Sequence, residues 1–380
     1  MWTSSAVLKD LPVEIRLVDG AILAAGRNAA GAILIKSRRA LASALRNPSL
    51  GFAQGYAEGE IEVEGDLTAT LCKLLKTELA QKHPSILSRL KRLVSPNSVH
   101  RAHDNIMAHY DLGNDFYKLW LDETMTYSCA VFPAEDTPLR VAQETKCDLI
   151  CRKLALEPGE SFLDVGCGWG HLALRAAQEY GVESFGITQS PAQQQYAAQE
   201  IGRNGLGGRC HVDVRDYRQL DRSFDKIASV GMLEHVGRPY LGRFFKTLAT
   251  ALRPGGRCLI QVILQQKSEA VTDFTNRVFP GGYFPTADAV LHHAAAAGLC
   301  FRHADNLAEH YALTLRRWRE NFDASRGEIE ALTSPPFARW WQLYLAVSEA
   351  AFRVGRLHLF QFLFTKGPVR FPLARSYVSF

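Results

Sequence analysis

The chain of 380 residues is long enough for two or three domains, and its 47% hydrophobic content supports a full core and argues against disorder. A net charge of +5 favours anionic surfaces slightly without choosing between membrane and nucleic acid. The eight cysteines form no Cys-x-x-Cys pair and no zinc-like set with histidines. With no signal peptide at the N-terminus and no run of about 18 apolar residues, a soluble cytosolic protein with reduced thiols is expected.

Residues 11–75 read as a small α+β module. Val13, Ile15 and Leu17 alternate, Asp19-Gly20 turns, and Ala21-Ile22-Leu23 returns, which predicts a hairpin. Ala32 to Ile35 is a further strand, and Arg38 to Arg46 a helix. Glycines 51, 55, 59 and 65 punctuate expected short strands around Tyr56, Ile61 and Val63. Residues 81–105 read as a linker. Ile86, Leu87, Leu90, Leu93 and Val94 share one helical face, with Arg89, Lys91 and Arg92 mostly off it. Such a basic amphipathic helix fits an anionic bilayer or, equally, the side of a folded domain. Residues 106–160 bring a mixed polar and aromatic approach segment and a helix from Leu139 to Leu156.

From Ser161 strands and helices alternate. Strand 161–165 precedes helix 171–180. Strand 183–188 precedes a helix with Pro191 in its first turn. Strands follow at 210–214, at 224–230 and, after a helix from Tyr240 to Leu252 and a Pro254-Gly255-Gly256 break, at 257–264. Repeated β-α alternation predicts a doubly wound parallel sheet whose ligands sit at the carboxyl ends of the strands.

The chain is organised around Asp164-Val165-Gly166-Cys167-Gly168-Trp169-Gly170, between a buried strand and a helix. Without Cβ atoms the backbone lets a ligand approach closely, and the helix N-terminus faces the same crevice. The spacing is Gly-x-Gly-x-Gly, not the Gly-x-Gly-x-x-Gly of a pyrophosphate loop. It resembles motif I of the S-adenosylmethionine (SAM) methyltransferases.

The wider chain resembles one family: cyclopropane-fatty-acyl-phospholipid synthases and the related mycolic acid and unsaturated-fatty-acid methyltransferases. The resemblance rests on the 109–115 segment, Tyr127-Ser128-Cys129, the motif above, Gly186-Ile187-Thr188 with Ser190 and Gln193, and Met232 to Gly237. Later matches are Phe279 to Gly282, Tyr311 with Thr314-Leu315 and Trp318, and Ala351-Phe352-Arg353. It implies a mostly parallel seven-stranded sheet of the class I SAM methyltransferase type behind a small N-terminal domain. The expected division is residues 1–80 for that domain, 81–105 for the linker and 106–380 for the catalytic domain.

The resemblance also implies roles. Tyr127, Ser128, Gly166 and Gly168 would hold the methionine part of SAM, together with Asp164 and Gly170 of the same motif. Thr188 and Gln193 would grip the ribose with neutral groups. Asp216 and Tyr217 would flank the adenine, unless Asp216 merely caps a turn. The substrate implied is a cis double bond in an unsaturated phospholipid acyl chain, met at the bilayer surface on the inner face of the membrane. The cation formed there would be steadied by aromatic faces such as Tyr283, Tyr311, Trp318 and Phe352, which ordinary core packing explains as well.

In this family a bound bicarbonate removes the final proton, held at positions that map to Cys129, Glu234, Ile263 and Tyr311, with the cysteine and isoleucine acting through the backbone. A histidine completes the set, and here that position is Gln261. An amide donates a hydrogen bond but carries no proton charge, so bicarbonate would be weakened or lost. Several branched-chain relatives carry the same glutamine. A ring product and a methylene, methyl-branched or furan-precursor product are therefore both open, as is a homodimer. Glu349 departs from the small residues usual there and is expected at the surface or at a channel rim. Nucleic acid is not an expected partner, because the basic residues are scattered and not striped. A nicotinamide enzyme would place an acid where Thr188 and Gln189 stand.

Overall fold

A computed structural model describes residues 12–24, 31–77, 112–267 and 271–371. The chain divides into two compact units. The first comprises Met1–Ser95, Ala270–Val278 and Ala312–Arg356; the second comprises Pro96–Glu269, Phe279–Tyr311 and Leu357–Phe380. The first unit thus takes in 312–356, a stretch expected in the catalytic domain. The amphipathic 86–94 segment and residues 109–111 lie outside the described residues.

The first unit opens with β1 (Glu14–Leu17), β2 (Ile22–Ala24), β3 (Gly31–Ile35), α1 (Arg38–Arg46), α2 (Pro48–Ala57), β4 (Ile61–Gly65) and α3 (Leu67–Leu75). The strands form a sheet in the order β2-β1-β3-β4, with β1 parallel to β3 and the expected hairpin between β1 and β2. Val13, Ile33, Ile35 and Ile61 bury against Ala40 of α1. Tyr56 is helical, against the strand expected there. Asn47 caps α2 by accepting the Leu50 N–H at 3.1 Å, and Pro48 occupies its first turn. Gly51 and Gly55 mark close packing and not turns. A Cβ on Gly51 would lie 2.2 Å from the Ser43 carbonyl oxygen of α1, and one on Gly55 would lie 2.7 Å from Ile61 Cδ1.

The second unit begins its described part with α4 (Gly113–Lys118) and α5 (Leu139–Leu154), then β5 (Ser161–Val165), α6 (His171–Tyr180), β6 (Glu183–Thr188), α7 (Pro191–Arg203), β7 (Cys210–Val214) and β8 (Phe224–Val230). There follow α8 (Leu241–Ala251), β9 (Leu252–Gln265), α9 (Asp273–Val278, in the first unit), α10 (Ala287–Ala296) and β10 (Leu299–Asn306). Then come α11 (Ala308–Ala324), α12 (Arg326–Leu332), α13 (Pro335–Arg353) and β11 (Leu357–Lys366).

The seven-stranded sheet runs β10-β11-β9-β8-β5-β6-β7. Strands β9, β8, β5, β6 and β7 are mutually parallel, and β11 runs antiparallel to both neighbours. This is the seven-stranded, mostly parallel sheet expected. One departure is local: β9 starts at Leu252, so Pro254-Gly255-Gly256 lies inside the strand. The ladder pairs Phe224 with Leu252 and then jumps to Lys226 with Arg257, which accommodates the extra residues as a bulge.

Alternating residues of each strand feed two cores. Phe162, Ala228, Leu259 and Leu363 pack under α5 and α6, against Ile150, Leu154, Leu172 and Ala176. Leu163, Ile227, Ile260 and Phe362 face α8 and α10, against Phe244, Leu248, Val290 and Ala294. Each large apolar side chain so buried contributes about 1.5–3 kcal/mol relative to exposure. Because both faces are covered, a ligand can enter only at the strand ends. The order reverses between β5 and β8, and there the crevice opens.

Within the first unit, α13 carries Arg339, whose Nε donates to the Tyr56 carbonyl at 2.6 Å and whose Nη2 donates to Glu62 at 2.9 Å. It also carries Glu349, which is 1% exposed and not at a surface or rim. The Glu349 carboxylate accepts from Arg319 Nε at 3.1 Å, Thr68 Oγ1 at 3.3 Å and Arg353 Nη1 at 3.4 Å. A carboxylate tolerates burial only with such partners, and Thr68 and Arg319 supply them from α3 and α11.

Candidate active site

A crevice open to solvent lies at the carboxyl ends of β5, β6 and β8. Val165, Gly166 and Gly168 line it from the first loop, and Ile187, Thr188, Gln189 and Gln193 from the second. Arg215 and Tyr217 follow β7, and Gly231, Met232 and His235 follow β8. Gly166 has φ +79°, and a Cβ there would lie 2.7 Å from Met232 Cγ, so both conformation and space require glycine. Gly170 does not line the crevice. It is the N-cap of α6 in the left-handed conformation.

Thr188 ends β6 and donates its hydroxyl to Gln193 Oε1 at 2.7 Å. Its oxygen accepts the Ser190 N–H at 3.3 Å. The Gln193 amide nitrogen is thereby left as a donor with no partner among the described residues. Asp216 does not line the crevice either. It accepts from the Arg218 backbone N–H at 2.8 Å and holds the Arg218 guanidinium at 2.7 and 2.5 Å, which raises the arginine pKa. Gln189 Nε2 donates to the same carboxylate at 3.0 Å. Asp216 is therefore a turn cap that fixes Gln189, and Tyr217 is the residue of the pair on the crevice. Tyr217 packs edge-on against Phe244, and burial pushes its phenol up to about 12.

The remaining donor-side residues do not line the crevice. Tyr127 joins an aromatic cluster with Tyr117 and Trp120, at 5.7 and 5.3 Å between centroids, and Trp169 of the motif packs into it at 5.1 Å from Tyr117. Ser128 Oγ accepts from Lys146 Nζ at 3.0 Å, and Gln143 Nε2 holds the Ser128 carbonyl at 2.9 Å. Asp164 is 1% exposed, and desolvation pushes its carboxyl up to about 7 against the pull of Lys146. Its Oδ1 has no partner among the described residues.

The second cluster lies across β8 and β9. Glu234 sits in a short 3-10 turn, Leu233–His235, just beyond β8. Its Oε1 accepts the Ile263 N–H at 2.7 Å, and its carbonyl accepts the Tyr283 N–H at 2.9 Å. Its Oε2 is buried with no partner among the described residues, and burial pushes the carboxyl up to about 7. Phe279 of the Phe279–Gly282 loop stacks on His235 at 4.4 Å. Cys129 and Tyr311 meet at one carbonyl: Leu307 O accepts from Tyr311 N at 3.0 Å and lies 3.9 Å from Cys129 Sγ. Gln261 is buried on β9, two residues before Ile263, and its Oε1 accepts from Gln361 Nε2 at 2.8 Å. The Ile263 N–H expected to face an anion is engaged by Glu234.

Arg215 and Gly231 line the crevice without having stood out in the sequence. Gly231 directly follows β8, a position that the strand-end rule alone identifies, and Arg215 directly follows β7. Gln189 stands out in the sequence only as a non-acid, and Met232 and His235 only as part of a matching motif. All three line the crevice.

The sheet order, the reversed β11 and the glycine crevice at the switch point define a class I SAM-dependent methyltransferase. The profile of the mycolic acid cyclopropane synthetase family matches residues 97–362. The chain belongs to that family, and it is an enzyme. It is 36% identical over 372 residues to the probable fatty acid methyltransferase of Pseudomonas putida, covering 94% of this chain and 92% of that one. It is 34% identical over 363 residues to the cyclopropane-fatty-acyl-phospholipid synthase of Escherichia coli K12, covering 92% of each. A crystal structure of the mycolic acid cyclopropane synthase CmaA1 complexed with SAH and CTAB superposes with a TM-score of 0.67 at 33% identity, covering 70% of this chain and 98% of that one. No helix among the described residues is long and apolar enough to cross a membrane.

Proposed function

We propose that the enzyme adds a one-carbon unit from SAM to the cis double bond of an unsaturated phospholipid acyl chain and closes a cyclopropane ring. The observation that carries this reading is the Glu234 carboxylate. It is buried and raised to about 7, with one oxygen on the Ile263 amide and the other unpartnered among the described residues. A ring product needs a group that takes or passes one proton near neutral pH in a water-poor place, and this carboxylate has those properties.

When bound, SAM supplies an electrophilic methyl carbon. The residues that would hold it are Gly166, Gly168, Thr188, Gln189, Gln193 and Tyr217. The glycine loop fits because Gly166 and Gly168 hold positive φ, +79° and +56°, and present bare backbone to the crevice, and the Gln193 amide nitrogen, without a partner among the described residues, is a donor suited to a ribose hydroxyl. Asp164, at the end of β5, and Lys146, which donates to Ser128, would be the charged groups for an amino-acid end. A C=C bond is a weak nucleophile, so the protein contributes in-line placement, exclusion of water and disposal of the proton.

When bound, bicarbonate would be the small anion of the second cluster, held by the Gln261 amide nitrogen with Tyr311 and the backbone at Cys129, while the ionised Glu234 carboxylate takes up and passes on the proton. The enzyme would meet its lipid at the inner surface of the membrane.

A second reading, C-methylation without ring closure, is favoured by one observation: Gln261 carries no titratable proton. Incubation with labelled SAM and vesicles of unsaturated phospholipid, followed by mass analysis and NMR of the acyl chains, tests both. A gain of one CH₂ unit with high-field cyclopropyl protons is expected. Vinylic or methyl-branch signals select the second reading, and no mass gain removes both. Gln261→His is expected to move a mixed product toward the ring.

A further inference from the structure

One chain of buried polar groups in the catalytic unit has no part in donor binding. Gln261 on β9 and Gln361 on β11 are directly paired across the antiparallel ladder. Their side chains share a face, and Gln361 Nε2 donates to Gln261 Oε1 at 2.8 Å. Gln361 Oε1 in turn accepts from Lys153 Nζ of α5 at 2.6 Å. The Lys153 ammonium also pairs with Asp305 of β10, which pairs with His303 at 2.9 Å. Lys153 and Gln361 are fully buried and Gln261 is 1% exposed, so water does not substitute for the Lys153–Gln361 and Gln361–Gln261 contacts.

The order of these contacts has a direction. An ammonium has donors only, so it selects the oxygen end of the Gln361 amide. The Gln361 nitrogen must then face Gln261, and it selects the Gln261 oxygen. The Gln261 nitrogen is left over, without a partner among the described residues. Reversing either amide would set two donors against each other in a buried place, which costs more than losing one hydrogen bond. Gln261 also stands level with the crevice. Its carbonyl accepts the N–H of Gly231, which lines the crevice, and Ile263 two residues on holds Glu234.

We propose that Lys153, acting through Gln361, fixes the Gln261 amide with its nitrogen as the free end, making Gln261 a dedicated hydrogen-bond donor to a small oxyanion at the Glu234 centre. The function of that donor rests on the proposed removal of a proton at Glu234; the orientation itself does not. Lys153 and Gln361 are positioning residues, two and one steps removed from the reacting atoms. A neutral amide locked in this way presents the donor face that an imidazolium would present, without its charge, to an anion that must remain basic.

The test begins on the protein without donor or lipid. In ¹⁵N spectra of the side-chain amides, Gln361 protons are expected to exchange slowly and Gln261 protons faster. Gln361→Glu keeps the contact to Lys153 but can only accept from Gln261, so the Gln261 amide must turn over and its protons become protected. Turnover of unsaturated phospholipid vesicles with labelled SAM should then fall about tenfold, with SAM affinity unchanged within about twofold. In a Gln261→Leu background, adding Gln361→Glu should change turnover less than about twofold, because the two residues act as one unit. Lys153→Arg, which retains the donor, should restore slow exchange of the Gln361 protons, faster exchange of the Gln261 protons and turnover relative to Lys153→Met. If Gln361→Glu does not fold, Gln361→Met is expected to lower turnover in the native background and not in Gln261→Leu.

Protected Gln261 protons in the native protein would overturn the proposal. So would an equal loss from Gln361→Glu with and without Gln261. A protein with the expected protection that modifies no lipid keeps the orientation and loses the function assigned to this family site.

Discussion

The two halves of the catalytic crevice are built on opposite principles. On the donor side, β5, β6 and β7 end in loops shaped largely by local contacts, with Gln189 to Asp216 as a longer link. The glycine turn, the Thr188–Gln193 bond and the Asp216–Arg218 clamp each join residues no more than five apart. The groups that β5 and β6 present to the crevice are neutral, and the charged Asp216 is turned to Arg218 and Gln189. On the proton side, β8 and β9 bring together residues far apart in sequence, and a carboxylate is left buried with half its hydrogen-bonding capacity unused among the described residues. The donor half has the character of a shaped receptacle, the proton half that of a strained electrostatic site. Variants should therefore separate binding from turnover.

The largest separation is expected at Glu234. Glu234→Gln keeps an oxygen for the Ile263 N–H and keeps the volume, but removes the titrating group. Lipid turnover should fall about 10²–10⁴-fold, the range for loss of general acid–base function. SAM affinity by calorimetry should stay within about twofold. An equal loss in both would mean that the two halves are one site, and the comparison would fail. In the native enzyme, turnover should decline as pH falls through about 7, where this carboxyl takes up its proton.

The opposite variant is Gly166→Ala. A Cβ at φ +79° and 2.7 Å from Met232 Cγ forces the loop to move. SAM affinity is expected to fall about ten- to a hundredfold, from a backbone cost of order 1–3 kcal/mol. The Glu234 pH dependence, measured at saturating SAM, should be unchanged.

This contrast also explains what is legible in the sequence. The β-α alternation, the helix starts at Pro191 and His171 and the glycine loop obey local rules, and the structure places them where the pattern does. Gly166, Gly168, Thr188, Gln193 and Tyr217 are readable because motif and crevice are the same few residues. Residues governed by strand pairing are not. Gln261 reads as one ligand position, but its orientation depends on Gln361, a hundred residues on, and on Lys153 from α5. Glu349 looks like a surface charge because its partners Thr68 and Arg319 lie 281 and 30 residues away. Tyr56 looks like part of a strand because the glycines around it look like turns, whereas helix contact at Ser43 demands the small size of Gly51.

The smallest effect expected is on stability, and its sign distinguishes the halves again. Glu234 is raised from 4.5 to about 7 in the folded state, so the fold binds this proton more tightly than the unfolded chain does. The destabilisation from its charge is therefore absent below about pH 4.5, grows as pH rises and is complete above about 7. Glu234→Gln should accordingly be more stable than the native protein at pH 8, by about 3 kcal/mol, since the rise from 4.5 to about 7 is between two and three tenfold changes in proton affinity, each worth about 1.4 kcal/mol. The gain should vanish toward pH 4.5. Thr188→Val, on the donor side, breaks a neutral hydrogen bond to Gln193 and should cost about 1 kcal/mol at every pH. Chemical denaturation of the three proteins at pH 5, 6.5 and 8 gives both profiles. A Glu234→Gln difference that does not change with pH would mean that this carboxylate is not held near neutrality, and the proton-side chemistry would have to rest on another group.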